Sequence, residues 1–254
     1  MQRTPLLRQF SKLLPLRPTS ILQKPFPSST SVTSSSPFST THPTKMTSFD
    51  TIPFKAATEL RRSIYPLTNT STISDARIKE LVEATILNTP SSFNSQSTRL
   101  VVLVKQEHEK FWDIVTEVLK GMLPEEQFEK SSKGRMKMFR AAYGTALFYE
   151  DRAVIKGLQD KMSQFAEHFP QWSEHTSAMH QYVLWTALEA EGLGANLQHY
   201  NPIANEKVAK AFNIPDGWEL KAQLVFGDPA GSARNDLKVR DTQPLEERIK
   251  FVGL

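Results

Sequence analysis

The alternation of apolar and polar positions predicts strands and helices from Asp50 onward. RLVVLVK, residues 99–105, is an almost continuous run of β-branched and other apolar residues, which predicts a strand buried on both faces. TALFYE and ELKAQLVFG, residues 145–150 and 219–227, predict two more strands. With the extended segment that follows the last long helix, the pattern favours a central mixed sheet of four or five strands.

Amphipathic stretches between the strands predict helices. In SDARIKELVEATILNT, residues 74–89, Ser74 is the predicted N-cap and Pro90 follows the last turn. Further helices are predicted over residues 53–63, 109–123, 131–144, 151–170 and 173–194. The last of these is apolar on most of its sides, as is typical of a helix in a core or an interface. Helices packed around a central sheet indicate an α+β fold.

Residues 1–49 differ in composition from the rest of the chain. They contain six Lys or Arg residues, no Asp or Glu, and many Ser, Thr and Pro residues. The chain carries a net charge of +4, so removing this +6 leaves −2 for residues 50–254. An acid-free, weakly amphipathic segment rich in Arg and Ser is typical of a mitochondrial transit peptide. We therefore predict a disordered mitochondrial targeting tail followed by one domain over residues 50–254. One alternative is a disordered tail that is not a targeting signal. The other is translation from Met46, which would give a cytoplasmic or nuclear protein.

Several classes of protein are excluded by what the sequence lacks. There is no Cys, which excludes disulfides, thiolate catalysis and Cys-ligated metals. No apolar run approaches the length of a membrane span, and the slightly acidic domain shows no basic face for nucleic acid. The phosphate-binding motifs of Rossmann proteins and P-loop proteins, the H-E-x-x-H zinc motif and the G-x-S-x-G nucleophile motif are also absent. We expect no metal site.

Two pairs of cations could bind a phosphate. Arg61 and Arg62, in RRSIYPL, lie at the end of a predicted helix, and Lys238 and Arg240 follow the last strand. A guanidinium group matches phosphate oxygens and does not titrate. Taken alone, each pair has an ordinary explanation, because cations are favourable near a helix C-terminus and charged pairs are common on surfaces.

Two polar segments could contact a flat ligand. Ser91, Ser92, Asn94 and Gln96 lie directly before the first strand and offer hydroxyl and carboxamide groups for the edge of a heterocycle. A turn would account for one or two of these residues, but not for all four. The segment EGLGANLQHYNP contains His199, for which a packed or hydrogen-bonded loop residue is the simpler interpretation, and its glycines could serve only to end a helix.

Taken together, these segments resemble the FMN-dependent nitroreductase family. The resemblance runs from about Phe54 to Gly253 and rests on RRSIYPL, PSSFNSQSTRLVVL, GLGANLQHYNP, LVFGDP and PLEERIKFVG, in that order. It is closest to the fungal and bacterial branch of fatty-acid-response nitroreductase-like oxidoreductases. The resemblance implies a nitroreductase-like α+β fold and an interlocked homodimer with two FMN sites in its interface.

The resemblance also implies roles for individual residues. Arg61, Arg62 and Ser63 would contact the phosphate and ribityl chain, with Tyr65 nearby, and Lys238 and Arg240 would hold the phosphate from the other side. The partner subunit would supply Pro90, Ser91, Ser92, Asn94 and Gln96. Leu197, Gln198 and His199 would lie along the isoalloxazine ring.

The implied activity is that of an NAD(P)H oxidoreductase. Hydride would reach the flavin N5 atom from NAD(P)H, and a nitroaromatic, a quinone or a similar acceptor would then be reduced in a ping-pong reaction. Because the cofactor carries this chemistry, no catalytic side chain is expected. The alternative is a flavin-binding regulator of lipid or oxidative-stress signalling with little turnover.

Overall fold

The computed structural model describes residues 53–254. The predicted disordered tail, residues 1–49, lies outside the described residues, so the tail and its role as a mitochondrial targeting signal stay predictions. Within the described range, no helix is both long enough and apolar enough to cross a membrane.

Four strands form one sheet at the centre of the fold. They are β1 (Thr98–Val104), β2 (Gly144–Asp151), β3 (Gly194–Gln198) and β4 (Trp218–Gly227), in the spatial order β1-β2-β4-β3. Every neighbouring pair of strands is antiparallel. The parallel element found beside the sheet is an isolated bridge between Ser63 and Ala195 at the outer edge of β3.

The predicted α+β fold with a central sheet of four or five strands is confirmed, and the sheet has four. The expectation of a mixed sheet is wrong, since all three strand pairs are antiparallel. The expectation that residues 99–105 form a strand buried on both faces is also wrong, because β1 is an edge strand and most of its residues are half-buried.

Helices cover both faces of the sheet. They are α1 (Phe54–Leu60), α2 (Asp75–Asn88), α3 (Gln106–Met122), α4 (Glu125–Gln127), α5 (Lys133–Arg140), α6 (Arg152–Lys161), α7 (Phe169–Ala190) and α8 (Asn205–Phe212). Side chains of α3, α5 and α8 pack on one face, and side chains of α2 and α7 pack on the other. Successive residues of β2 alternate between the two cores: Leu147 and Tyr149 lie in the first, Ala146 and Phe148 in the second.

Local signals in the sequence account for some helix ends and fail at others. Ser74 caps α2 as predicted, because its hydroxyl group accepts a hydrogen bond from the Arg77 N–H. The helix predicted over residues 53–63 ends early, at Leu60, and the chain leaves it in an extended conformation at Arg61.

The prediction of a single helix over residues 151–170 is also wrong. Helix α6 ends before Met162, and the chain then forms a 3₁₀ turn, Ser163–His168, before α7 begins. Phe165 in that turn packs against Phe93 and Trp172, so tertiary contacts override the helical pattern. The short helix α8 has no counterpart among the predicted elements.

A buried histidine makes stability depend on pH. His108 is fully buried and shares a hydrogen bond with Thr145, and burial lowers its pKa to about 4. The unfolded chain therefore binds a proton between pH 6.5 and about 4 that the folded chain excludes, and stability falls as the pH falls through this window.

We expect the free energy of unfolding to fall by about 2 kcal/mol between pH 7 and pH 5 through His108. Urea denaturation at the two pH values measures this change. The matched control is His108→Gln, which cannot take up the proton. Burial also lowers the pKa of His180, but both proteins keep that residue. The prediction is wrong if His108→Gln and the wild-type protein lose equal stability.

Candidate functional site

The two predicted pairs of cations lie together, although they are far apart in sequence. The Arg62 side chain donates a hydrogen bond to the Lys238 carbonyl oxygen at 2.7 Å, across 176 residues. Arg240 donates to the carbonyl oxygens of Glu59 and Arg61 at 2.7 and 2.6 Å. The segment after β4 is thereby fastened to the end of α1. We refer to Arg61, Arg62, Lys238 and Arg240 as the cation cluster.

The cation cluster is not neutralised by acidic side chains. Among residues 53–254, none of its four members forms an ion pair with a carboxylate. Other arginines do: Arg99 pairs with Asp151 and Arg140 with Asp113. Four cationic residues from two chain segments that are joined by hydrogen bonds, and that have no carboxylate partner within residues 53–254, favour binding of an anion such as a phosphate.

Side chains of α7 lie beneath the cation cluster. The Arg61 guanidinium group stacks over the Trp185 ring at 4.5 Å from its centroid and lies 6.0 Å from that of Tyr182. The Trp185 indole N–H donates to Glu189 at 2.9 Å. Trp185 therefore contacts both a cation of the cluster and a buried acid one helical turn away.

Glu189 is a buried carboxylate whose two oxygens are both hydrogen-bonded. One oxygen accepts from the Trp185 indole, and the other accepts from the Arg62 backbone N–H at 3.1 Å and from Arg234 at 3.2 Å. Burial raises the pKa of this carboxyl group, and the N–H donors and Arg234 oppose that shift. Sequence reasoning missed Glu189 and Arg234; the available signal was an acid four residues after Trp185 in an otherwise apolar helix end.

The segment EGLGANLQHYNP contains β3, and the stretch after the cation pair Arg61 and Arg62 lies along the outer edge of this strand. The Ile64 N–H donates to the Ala195 carbonyl oxygen at 2.9 Å, and the Asn196 side chain donates to the Ile64 carbonyl oxygen at 2.9 Å. Gly194 permits this approach, since a Cβ atom there would lie 2.7 Å from Leu67. The segment with Ser63 and Tyr65 thus runs beside β3, which carries Leu197 and Gln198 and leads into His199.

His199 is exposed and its side chain makes no hydrogen bond within residues 53–254, so the interpretation of it as a packed or hydrogen-bonded loop residue is wrong. Tyr200 is the packed residue instead. Its ring lies edge-on to Trp112 at 5.5 Å, and its backbone N–H donates to Gln223 at 2.6 Å. The backbone after β3 is therefore fixed by Tyr200, which leaves the histidine side chain open to a ligand.

The polar segment from Pro90 to Gln96, hereafter the polar loop, lies at the other end of α7. Its Ser92 N–H donates to the Thr176 hydroxyl group, whereas the cation cluster contacts Glu189. Thirteen residues separate Thr176 from Glu189, which corresponds to about 20 Å along a helix. One protomer therefore does not bring the polar loop to its own cation cluster.

The polar loop has free side chains on a strained backbone. Phe93, Asn94 and Gln96 all have positive φ, between 50° and 55°. The Ser91 hydroxyl group accepts from the Gln96 N–H at 2.9 Å, and within residues 53–254 the carboxamides of Asn94 and Gln96 make no hydrogen bond. Non-glycine residues in this region are uncommon and cluster at functional sites. The carboxamides are available to a ligand or to a second chain.

A groove of about 750 Å³ elsewhere in the fold does not include these segments. It is lined by residues of α8, of the start of β4 and of β2, and it contains no member of the cation cluster or the polar loop. We place the candidate site at the cation cluster, because that is where unpaired charges and the predicted residues converge.

The fold and the site define a class of protein: an α+β domain with a cluster of cations where a helix end, an edge strand and the segment after the last strand meet. Within that class, the nitroreductase family matches residues 59–228. This chain belongs to the nitroreductase family. Membership makes it an oxidoreductase, and the resemblance drawn from the sequence motifs is confirmed.

Known relatives agree with this assignment. The chain is 39% identical to HBN1 of Saccharomyces cerevisiae over 177 residues, which cover 67% of this chain and 84% of HBN1. It is 36% identical to nitroreductase CinD from Lactococcus lactis, solved in complex with nicotinic acid, with a TM-score of 0.72 over 79% of this chain and all of CinD. A nitroreductase from Desulfitobacterium hafniense, solved with bound FMN, shares the fold at 17% identity, with a TM-score of 0.55 over 78% of this chain and 97% of its own.

Proposed function

We propose that the protein is an FMN-dependent NAD(P)H oxidoreductase that acts as a homodimer on nitroaromatics, quinones or similar acceptors. The observation that carries this proposal is the cation cluster, four neighbouring positive charges without a carboxylate partner among residues 53–254. A phosphate monoester is the part of FMN that such a cluster would hold.

The other residues of the site fit the remaining parts of FMN. β3 is an edge strand whose outer side is paired with the Ser63–Tyr65 stretch at Ala195, and beyond that bridge its outward backbone groups have no partner in the sheet. Leu197, Gln198 and the exposed His199 follow this edge away from the cation cluster, which suits a flat ring. The free carboxamides of Asn94 and Gln96 suit the polar edge of that ring, provided that a second chain brings them there.

The residues of this chain bind and orient; they do not supply a reacting group. Bound FMN would supply the redox chemistry, which is hydride uptake from NAD(P)H and electron delivery to the acceptor. The cation cluster would fix the phosphate end and the edge of β3 would fix the ring, leaving one ring face for the nicotinamide and then for the acceptor. The nicotinic acid in the CinD complex supports a site that admits a pyridine ring.

The homodimer is supported by the position of the polar loop and by exposed apolar side chains. Met179 and Tyr182 of α7 are 38% and 42% exposed, and Phe93 of the polar loop is 55% exposed. In the segment after β4, Phe251 and Val252 are 72% and 85% exposed. These exposed apolar side chains are candidates for burial against a partner chain. A second copy of the chain would cover them and would also bring its polar loop to the cation cluster.

We expect the purified protein to be yellow and its flavin absorbance band to bleach on anaerobic addition of NADPH or NADH. An aromatic nitro compound or a quinone, added next without oxygen, should restore the band. An absorbance spectrum at each step measures both half-reactions, and the same additions to free FMN are the control. A yellow protein that neither nicotinamide bleaches would contradict the enzyme and favour the flavin-binding regulator. A colourless protein that FMN cannot reconstitute would contradict both.

A further inference from the structure

We infer that Trp185 and Glu189 of α7 are positioning residues that set the affinity of the site for the phosphate end of its cofactor, through Arg61 and Arg62. This inference rests on the proposed function, because it assumes that the anion at the cation cluster is the phosphate of FMN.

Trp185 restricts the side chain of Arg61. An arginine near the surface loses rotamer freedom when it binds a ligand, and this loss weakens binding. The Arg61 guanidinium group already lies 4.5 Å from the centroid of the Trp185 ring, within the range of an attractive cation–π contact. The ring therefore restricts the side chain before any ligand arrives. It does so without using the N–H groups of the guanidinium, which stay available to phosphate oxygens.

Glu189 fixes the backbone of Arg62. The chain leaves α1 at Arg61 in an extended conformation, and the next N–H group, that of Arg62, is anchored by the Glu189 carboxylate. Arg234 neutralises this buried acid from the other side and also donates to the Leu193 carbonyl oxygen at 2.7 Å. The carboxylate can thus fix the direction of the arginine segment without repelling an anion bound above it.

The two positioning residues are coupled. They lie at positions i and i+4 of α7, on the same face of the helix, and the indole N–H of Trp185 donates to Glu189. One helical turn therefore fixes the side chain of Arg61 and the backbone of Arg62. Neither Trp185 nor Glu189 needs to touch the ligand in order to do so.

The test compares the binding of FMN and riboflavin, which differ by the phosphate, to the apo-protein by flavin fluorescence titration. The two matched variants are Trp185→Gln, which keeps an N–H donor for Glu189 but removes the ring, and Trp185→Phe, which keeps a ring but removes the donor. We expect Trp185→Gln to reduce the FMN-to-riboflavin affinity ratio about tenfold through a loss in FMN affinity, and Trp185→Phe to change it less than about threefold.

Glu189→Gln provides a second measurement. It loses the charge and one acceptor, and we expect it to reduce the affinity ratio as well. A general loss of structure would weaken FMN and riboflavin equally, so the ratio separates positioning from folding, and circular dichroism of each apo-variant checks the fold. If the wild-type protein binds FMN and Trp185→Gln has the same FMN-to-riboflavin affinity ratio as the wild-type protein, the inference is wrong. The proposed function would not be affected by that result. Wild-type protein that binds neither flavin would overturn the proposed function as well.

Discussion

The double variant Arg61→Ala, Lys238→Ala is expected to bind FMN at least about 100-fold more weakly than the wild-type protein, because each charge-assisted hydrogen bond to the phosphate is worth about 1.5–3 kcal/mol. These two side chains are chosen because no hydrogen bond within residues 53–254 uses the Arg61 guanidinium or the Lys238 ammonium group. Arg240, in contrast, fastens the segment after β4 to the end of α1, so its loss would change the fold and the charge together.

Fluorescence titration of the apo-protein with FMN measures the effect of the double variant. The matched control is Lys137→Ala, which removes an exposed cation of α5 outside the cluster and should bind FMN as the wild-type protein does. Riboflavin affinity should be nearly unchanged in the double variant, since riboflavin lacks the phosphate that these two charges would bind. Equal FMN affinity in the double variant and the control would refute the phosphate assignment.

Two variants that each fail to bind FMN are expected to form one intact FMN site when they are combined in a mixed dimer. The first carries Arg61→Ala and Lys238→Ala. The second carries Ser92→Ala, Asn94→Gly and Gln96→Gly in the polar loop. Glycine suits the last two positions because both have positive φ, so the loop keeps its shape while it loses its carboxamides. In the mixed dimer, the intact cation cluster of one chain meets the intact polar loop of the other.

The mixed dimer is prepared by co-expressing the two variants with different affinity tags and purifying over both resins. We expect about one FMN per dimer, against two for the wild-type protein and near zero for either variant alone, because a mixed dimer contains one composite site with both halves intact. Flavin absorbance per protein gives the stoichiometry. If both halves of the site came from one chain, mixing would restore nothing, and the proposed dimeric site would be wrong.

The parts of this protein that its sequence predicts are those that local physical rules determine. RLVVLVK forms β1 because β-branched residues favour a strand, although β1 lies at the sheet edge and is mostly half-buried. Ser74 caps α2 because a hydroxyl group can satisfy a free N–H group at a helix start. The apolar helix through Leu184 and Leu188 is a core helix, as its pattern indicates. A ligand-binding role of the polar loop stays a prediction from its residue types, since a simple turn does not need so many hydroxyl and amide groups.

The remaining features depend on distant contacts that periodicity does not encode. Nothing near Arg62 in sequence indicates that its backbone N–H meets an acid 127 residues further on. The break at Met162 follows from aromatic packing around Phe93, which lies in another segment. Residue patterns also do not indicate which subunit the polar loop serves. That expectation came from the family resemblance, and the span of α7 between the loop and the cation cluster now gives it a physical reason.

The span of α7 has a consequence for dilute solutions. If each chain holds the two halves of a site about 20 Å apart, a lone chain has two incomplete halves, and FMN binds fully only where two chains meet. Flavin and subunit association are then linked by mass action, so that FMN stabilises the dimer and dilution releases both. The yellow colour of a solution would report how many of its chains are paired, and flavin supply in a cell would set that number.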